Sequence, residues 1–278
     1  MKLINLGCGQ RFHKEWINVD FHSDNEHVIG HNLLKGIPFN DFEFDAVYHS
    51  HVLEHFSKED GKQFIAECYR VLKPGGIIRV AVPDLEQIVK NYLKAFEGAL
   101  AGDADSAANY EWMMLELYDQ TVRNFSGGEM AKYFQKDEMK NEKFVFSRVG
   151  EEGRVIRENF LKSNRDSKNG KIKTASQKEK VKNSIRKIRN ILLRNESEPN
   201  EKKEKLMEIG QFRLGGEVHQ WMYDRYSLSK LLSETGLQNI TVKTAFESEI
   251  KNWNDYQLES KNGLIFKPDS LFMEGQKL

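Results

Sequence analysis

Cysteine and long apolar runs are what this sequence has least of. Two cysteines, Cys8 and Cys68, in 278 residues make no disulfide framework and read as the reduced thiols of a cytoplasmic protein. No apolar run approaches the length that spans a bilayer. The first residues run straight into a strand pattern, which leaves no room for a secretory signal. Net charge is missing too, since 42 Lys and Arg balance 42 Asp and Glu. Ordinary apolar content with high charge content fits a soluble globular chain, long enough for one large α/β domain or one domain with an inserted lid.

The balance of charge is not even along the chain. Residues 162–194 hold twelve Lys and Arg against Asp166 and Glu179, so that stretch carries +10 and the rest of the chain −10. A basic arm on an acidic body calls for an explanation. Within it Val181, Ile185, Ile188 and Leu192 fall at helical spacing among basic residues, which predicts a basic amphipathic helix over 178–194. Such a helix fits peripheral contact with an anionic membrane surface. A solvated loop is the commoner fate of Lys- and Ser-rich sequence. The arm lacks the interleaved aromatics that stack on bases, which counts against a nucleic-acid partner.

What is present is concentrated at the start. Lys2 to Leu6 is an apolar run of strand length that breaks at Gly7-Cys8-Gly9. Two glycines around one residue let the backbone turn tightly and let a ligand come close to its N–H groups. A parallel α/β sheet opens a nucleotide-type pocket at the carboxyl end of its first strand in this way. The next strand, Trp16 to Asp20, ends in an acid, the residue type that grips a ribose hydroxyl pair. The link between them is short for a crossover, so the first crossover helix is expected to be clipped. Dinucleotide binding needs a third glycine; Phe12 stands at that position, which argues against a nicotinamide cofactor.

Further on, strands are expected around Glu26–Gly30, at Phe44–His49 and at Ile77–Val82. Between the last two, Ser57 and Asp60 open a helix as a capping box, and Phe64, Ile65, Cys68, Val71 and Leu72 form its apolar stripe. Lys73-Pro74-Gly75-Gly76 stops it. Alternating strands and helices predict a parallel sheet. A late helix is expected from Tyr226 to Thr235, followed by strands at Gln238–Ala245 and Ser270–Glu274.

Together "NLGCG", "WINVD", "IPF…FDAVYHSHVLEHF", "ECYRVLKPGG", "VAVPDLE" and "HQWMYDRYSLSKLL…KPDSLFMEG" resemble the class I S-adenosylmethionine-dependent methyltransferases. More narrowly they are similar to the group associated with bacterial surface-polysaccharide synthesis. The resemblance implies a Rossmann-like class I methyltransferase sheet with helices on both faces and a helical insertion before the last helix. It implies a core of residues 1–84 and 211–278, and an insertion or lid over 85–210 that includes a basic segment, 162–210.

For the cofactor it implies that Gly7, Cys8 and Gly9 cradle the methionine part with backbone N–H groups, and that Asp20 holds the ribose with Phe21 beside it. Asn5 stands where many relatives place an acid near the cofactor amine. Asn32, with Leu33, stands where an Asp often faces the adenine. Ser50 and His51 are expected at the methionine end.

Amino methylation usually shows an Asn/Asp-Pro-Pro-aromatic turn at the fourth strand tip, where this chain has Tyr48-His49-Ser50-His51. Cytosine C5 methylation needs a nucleophilic Cys by the pocket, and neither cysteine is placed for that. Transfer to an oxygen is left, by in-line displacement whose rate comes mostly from positioning. His51, His55, Asp84 and His219 are the candidate bases. Glu116, Asp119, Gln120 and Arg123 fall on one helical face, suited to a polar substrate, with Arg123 meeting a carboxylate or phosphate. Trp221 and Tyr223 are suited to stacking on a sugar; packing of the late helix is the plainer role for both.

His51-Val52-Leu53-Glu54-His55 also matches a zinc-protease pattern, H-x-x-E-H. Its context, a strand tip in a nucleotide fold, leads to the expectation of no metal. The expected acceptor is a glycan or a nucleotide- or lipid-linked sugar. The alternatives are an RNA methyltransferase, motivated by the basic arm, and a non-catalytic scaffold, motivated by Asn5 and Asn32 in place of acids.

Overall fold

The computed structural model describes residues 1–23, 25–168 and 198–278. The stretch 178–194, expected as a basic amphipathic helix, lies outside the described residues.

Seven strands form the main sheet: β1 (Leu3–Leu6), β2 (Ile17–Asp20), β3 (Val28–Gly30), β4 (Phe44–Ser50), β5 (Leu72–Pro83), β6 (Gln238–Lys243) and, after a small β7–β8 hairpin (Ser260–Lys261 and Leu264–Ile265), β9 (Ser270–Gln276). Their order is β3-β2-β1-β4-β5-β9-β6. The first five are parallel, and β9 runs antiparallel to both β5 and β6. This is the Rossmann-like class I methyltransferase sheet: two halves wound outward from β1 and β4, with a reversed strand slipped in before the edge.

The strands at the centre are mostly buried because both faces are covered, and they hold buried Asn5, His49 and Arg79 among apolar residues. Every residue of β1 is buried, and so are five of the seven in β4. On one face Ile4, Leu6, Val47, Ile78 and Val80 pack under α1 (Lys58–Val71) and α7 (Arg225–Glu234). On the other, Leu3, Ala46 and Tyr48 meet Trp16 and a short 3₁₀ turn, Trp253–Tyr256. Ser57 caps α1 as expected, its Oγ accepting from the Asp60 N–H at 3.1 Å, and Phe64, Ile65, Cys68 and Val71 form its buried stripe. Asp224 and Ser227 make a reciprocal cap on α7.

Most element bounds shift by only a residue or two from the sequence expectation, and one strand shifts further. The strand after α1 starts at Leu72 rather than Ile77, because Leu72 already pairs with Phe44 before an irregularity in the ladder; Gly75, at φ 77°, makes the bend. No helix forms between β1 and β2, so the clipped crossover is a set of turns.

Between β5 and α7 the described chain is helical: α2 (Leu85–Leu100), α3 (Ala104–Met114), α4 (Gly128–Phe134), α5 (Glu142–Lys168) and α6 (Glu198–Leu214). This layer has its own core of Ile88, Ala95, Trp112, Met113, Tyr133, Phe134, Met139 and Val145. One glycine fixes how the layer meets the sheet. Gly150 bends α5 at φ 59° and ψ −145°. A Cβ there would sit 2.4 Å from Pro268 Cδ and 2.6 Å from the Phe266 carbonyl oxygen. Only glycine lets α5 lie this close to the chain entering β9.

Candidate functional site

A pocket of about 390 Å³ opens at the carboxyl ends of β1 and β4, within the range of small-molecule sites. Asn5, Gly7, Cys8, Gly9, Gln10, Arg11, Tyr48, Ser50, His51, Glu152 and Lys267 line it.

Its floor is the glycine turn. Gly7 has φ 64°, and a Cβ on it would collide with Val52 Cγ2 at 2.3 Å. Gly9 has φ 52°, and a Cβ on it would meet nothing within 4 Å. The first glycine is therefore required by packing, and the second leaves its face open to a ligand. The N–H groups do not form the free cradle expected from the sequence. Gly7 N and Cys8 N both donate to the Val19 carbonyl, at 2.7 and 3.2 Å, and so fasten β1 to β2. Gly9 N donates to Asp20 Oδ2 at 2.7 Å. Burial and the nearby Asp20 push the Cys8 thiol up to about 12, so Cys8 is a neutral packing residue.

Asn5 is buried in the pocket wall. Its Nδ2 donates to the Arg11 carbonyl at 3.0 Å and to Asn18 Oδ1 at 3.3 Å, so this amide shapes the turn rather than reaching outward. Phe21 is 60% exposed and packs edge-on against His22. Asn32 caps the 3₁₀ turn Leu33–Lys35 by accepting from the Leu34 N–H at 3.0 Å. Asp20, Phe21, Asn32 and Leu33 all lie outside the residues that line the pocket, Asp20 reaching its edge through the bond to Gly9 N.

Of the four candidate bases only His51 lines it. His51 sits just past β4 at φ 53°, a costly conformation for a residue with a Cβ and one that gathers at functional sites. Its Nε2 is 2.7 Å from Ser270 Oγ, and its Nδ1 is 3.1 Å from Glu54 Oε1, out of line for a hydrogen bond. Burial and the Lys267 ammonium lower its basicity.

His55 and His219 lie behind it, edge to face at 4.7 Å, and burial brings His219 down to about 3. Burial opposes the charge on Glu54, yet the surrounding imidazoles of His51, His219 and His55 hold its pKa below the usual carboxylate range. Asp84 is buried as the N-cap of α2, accepting from the Gln87 N–H at 3.2 Å.

The substrate face expected over Glu116–Arg123 does not exist as one face. A π-turn over Leu115–Asp119 breaks the helical register, and the charges are used internally. Glu116 pairs with Arg148 at 2.9 Å and accepts from Trp112 Nε1 at 2.5 Å. Arg123 is clamped by Asp119 at 2.9 Å and Glu217 at 3.0 Å. Gln120 offers its carbonyl to the His219 N–H at 2.9 Å. Tyr223 is corrected as well: it is buried in the core under α1 and α7, where no sugar reaches it. Trp221 stays 40% exposed, with the Lys58 ammonium over its ring at 5.1 Å.

Five lining residues escaped the sequence reading, Gln10, Arg11, Tyr48, Glu152 and Lys267. Arg11, which follows the glycine turn, pairs with Glu152 of the insertion at 2.5 Å and lies over Phe266 at 4.4 Å. Lys267 stands 3.7 Å from the same Glu152 oxygen. Tyr48 donates its hydroxyl to buried Glu259 at 2.7 Å. Arg11 directly follows the glycine run, so its place on the rim was open to inference. Glu152 and Lys267 carry no local signal. Beside Lys267, Asp269 is pushed up to about 7 by burial and then by Glu116, against the pull of Arg148 and Lys267.

Comparison with known proteins agrees with this geometry. Residues 5–80 match the family model described as "Methyltransferase domain". A protein of Mycolicibacterium smegmatis named as a probable S-adenosylmethionine-dependent methyltransferase is 41% identical over 56 residues, 20% of this chain and 21% of that one; the chain thus spans about a fifth of that relative's length. Among solved structures, a SAM-dependent methyltransferase from Thermotoga maritima, described as a possible histamine N-methyltransferase, is 10% identical. It covers 100% of this chain and 82% of its own at a TM-score of 0.38. A SAM-dependent methyltransferase from Archaeoglobus fulgidus is 13% identical, covering 99% and 86% at a TM-score of 0.38. The fold assignment rests on the strand order of the sheet itself.

Proposed function

We propose that this chain transfers a methyl group from S-adenosylmethionine to a hydroxyl oxygen of a glycan or a nucleotide- or lipid-linked sugar. The matched family and the name of the relative both indicate that cofactor. The observation that carries the reading is the open face of Gly9 beside Asp20, at the mouth of a pocket framed by β1 and β4. When bound there, S-adenosylmethionine supplies an electrophilic methyl group. Asp20 accepts from its ribose hydroxyls, and Arg11 and Lys267 offer cations to its carboxylate. Ser50 and His51 face the same space.

The choice of oxygen rests on the chemistry at the strand tips. No Pro-Pro-aromatic turn follows β4, and no thiolate is available. His51, which lines the pocket beside Ser50, is the candidate there to take the hydroxyl proton. The sugar class is supported by resemblance alone.

Calorimetry with S-adenosylmethionine and with NAD tests the cofactor: the first should saturate at one equivalent and the second should not bind. An acceptor screen that follows S-adenosylhomocysteine release tests the rest. Turnover with amine acceptors and none with hydroxyl acceptors would sink the oxygen assignment and leave the cofactor assignment standing.

A further inference from the structure

Glu54 is buried among three imidazoles, and although His51 Nδ1 lies 3.1 Å from its Oε1, neither of its carboxylate oxygens has a hydrogen-bond partner among the described residues. His219 is buried with its Nδ1 equally unpartnered, and so is Nδ1 of His55. Orphaned buried polar atoms are costly, and here they converge: one donor atom each of Glu54, His55 and His219 lies within 4.8 Å of the other two.

The backbone holds the three in place. The Glu54 carbonyl accepts from Gln220 N at 2.8 Å and Trp221 N at 3.2 Å, and His219 N donates to the Gln120 carbonyl at 2.9 Å. Gln220 Nε2 reaches the His55 carbonyl at 2.9 Å. The tip of β4 and the chain leaving the insertion are thus locked together around the cluster.

We propose that Glu54, His55 and His219 bind a divalent metal ion of the zinc class. Two imidazoles and a carboxylate are a borderline N/O donor set suited to such ions. Bonds of about 2.0–2.2 Å place donors roughly 3.3 Å apart around a tetrahedral ion, so the side chains close inward by about an ångström when it binds. Three protein ligands leave a fourth position for water.

The sequence pattern H-x-x-E-H pairs His51 with His55 and so misleads. His51, at φ 53°, lines the pocket and touches the cluster only through Glu54, its Nδ1 3.1 Å from Oε1, and the second imidazole comes instead from His219, far along the chain. The proposal does not depend on methyl transfer and is tested without turnover.

The test uses the full chain, free of any histidine tag and stripped with a chelator. Zinc is titrated against a chromophoric competitor, and cobalt is followed by its visible d–d bands. One equivalent should bind, raise the unfolding temperature and give the absorption of a four-coordinate site. His219→Ala and Glu54→Gln should each weaken zinc at least tenfold. If His219→Ala does not fold, His55→Ala at the half-buried ring decides alone. Absence of saturable binding by the wild type overturns the proposal, and so does unchanged affinity in a folded variant; the three side chains then merely bond one another.

Discussion

The turn from Gly7 to Arg11 and the wall formed by Glu152 and Lys267 line the same pocket, yet they are built in opposite ways. The turn is contiguous. Its N–H groups are fastened to the adjacent strand and to Asp20 at that strand's tip, and a single packing contact, Gly7 on Val52, dictates its sequence. The wall is assembled from residues more than a hundred positions apart, and charge holds it in place. Arg148, from the same helix as Glu152, sits between Glu116 and Asp269, while Glu152 itself bridges Arg11 and Lys267. Backbone geometry secures one side of the pocket and ion pairing the other. Substitutions should therefore act on the two sides through different readouts.

The largest effect is expected at the wall. Arg148→Met leaves Glu116 buried without its cation, which typically costs about 3–5 kcal/mol. Urea unfolding measures it. A loss under about 1 kcal/mol would mean that the pair is dispensable and that charge does not hold this side.

Next comes pH. Asp269 is raised from 3.8 to about 7 in the folded chain, so between those values the native state binds more protons than the unfolded state. Stability must then fall as pH rises through that window and level off above it. At about 1.36 kcal/mol per unit, the ceiling is about 4 kcal/mol. Asp269→Asn should flatten the slope of unfolding free energy from about pH 4 to 7. An unchanged slope assigns the dependence to other groups.

On the turn side the readout moves from stability to binding. Asp20→Ala should leave the fold intact, since Gly9 N is near solvent, and should weaken S-adenosylmethionine by about 1.5–3 kcal/mol, the value of charged hydrogen bonds. Calorimetry checks it, and unchanged affinity removes Asp20 from the site.

The same division explains what could be read from the sequence. The succession of strands and helices in the core, the cap at Ser57 and the glycine turn all express short-range rules, so they were legible. Ser50 and His51, expected by resemblance at the cofactor's methionine end, line the pocket, and Asp20, expected from its strand tip, bonds Gly9 N at its edge. The use of the turn's N–H groups was not legible, because Val19 competes for them only once β1 and β2 pair. Arg123 and Glu116 looked like substrate ligands because a helical projection cannot show Glu217 or Arg148 arriving from elsewhere. Tyr223 looked like a stacking platform because burial under α1 depends on the assembled core. Glu152 carries no local signal, since the insertion brings it to the sheet.

The smallest expected effect bears most directly on how the two sides are joined. Arg11 belongs to the turn and Glu152 to the wall, and their 2.5 Å pair is the direct ionic link between them among the described residues. Both side chains are about a third exposed, so solvent screens the attraction and a coupling of only about 0.2–1 kcal/mol is expected. A double-mutant cycle with Arg11→Ala and Glu152→Ala isolates that term from the rest of each side chain. Lys267 complicates one corner: Arg11→Ala leaves Glu152 a second cation at 3.7 Å, whereas Glu152→Ala leaves two cations facing each other across the pocket. Glu152→Ala should therefore destabilise the chain more than Arg11→Ala does, and added salt should narrow the gap. If S-adenosylmethionine carries its carboxylate to Arg11 and Lys267, Glu152→Ala should also tighten cofactor binding, because it removes the acid that competes for them. Weaker binding in that variant would show that Glu152 orients the cations rather than competing with the ligand, and that the insertion is part of the cofactor site itself.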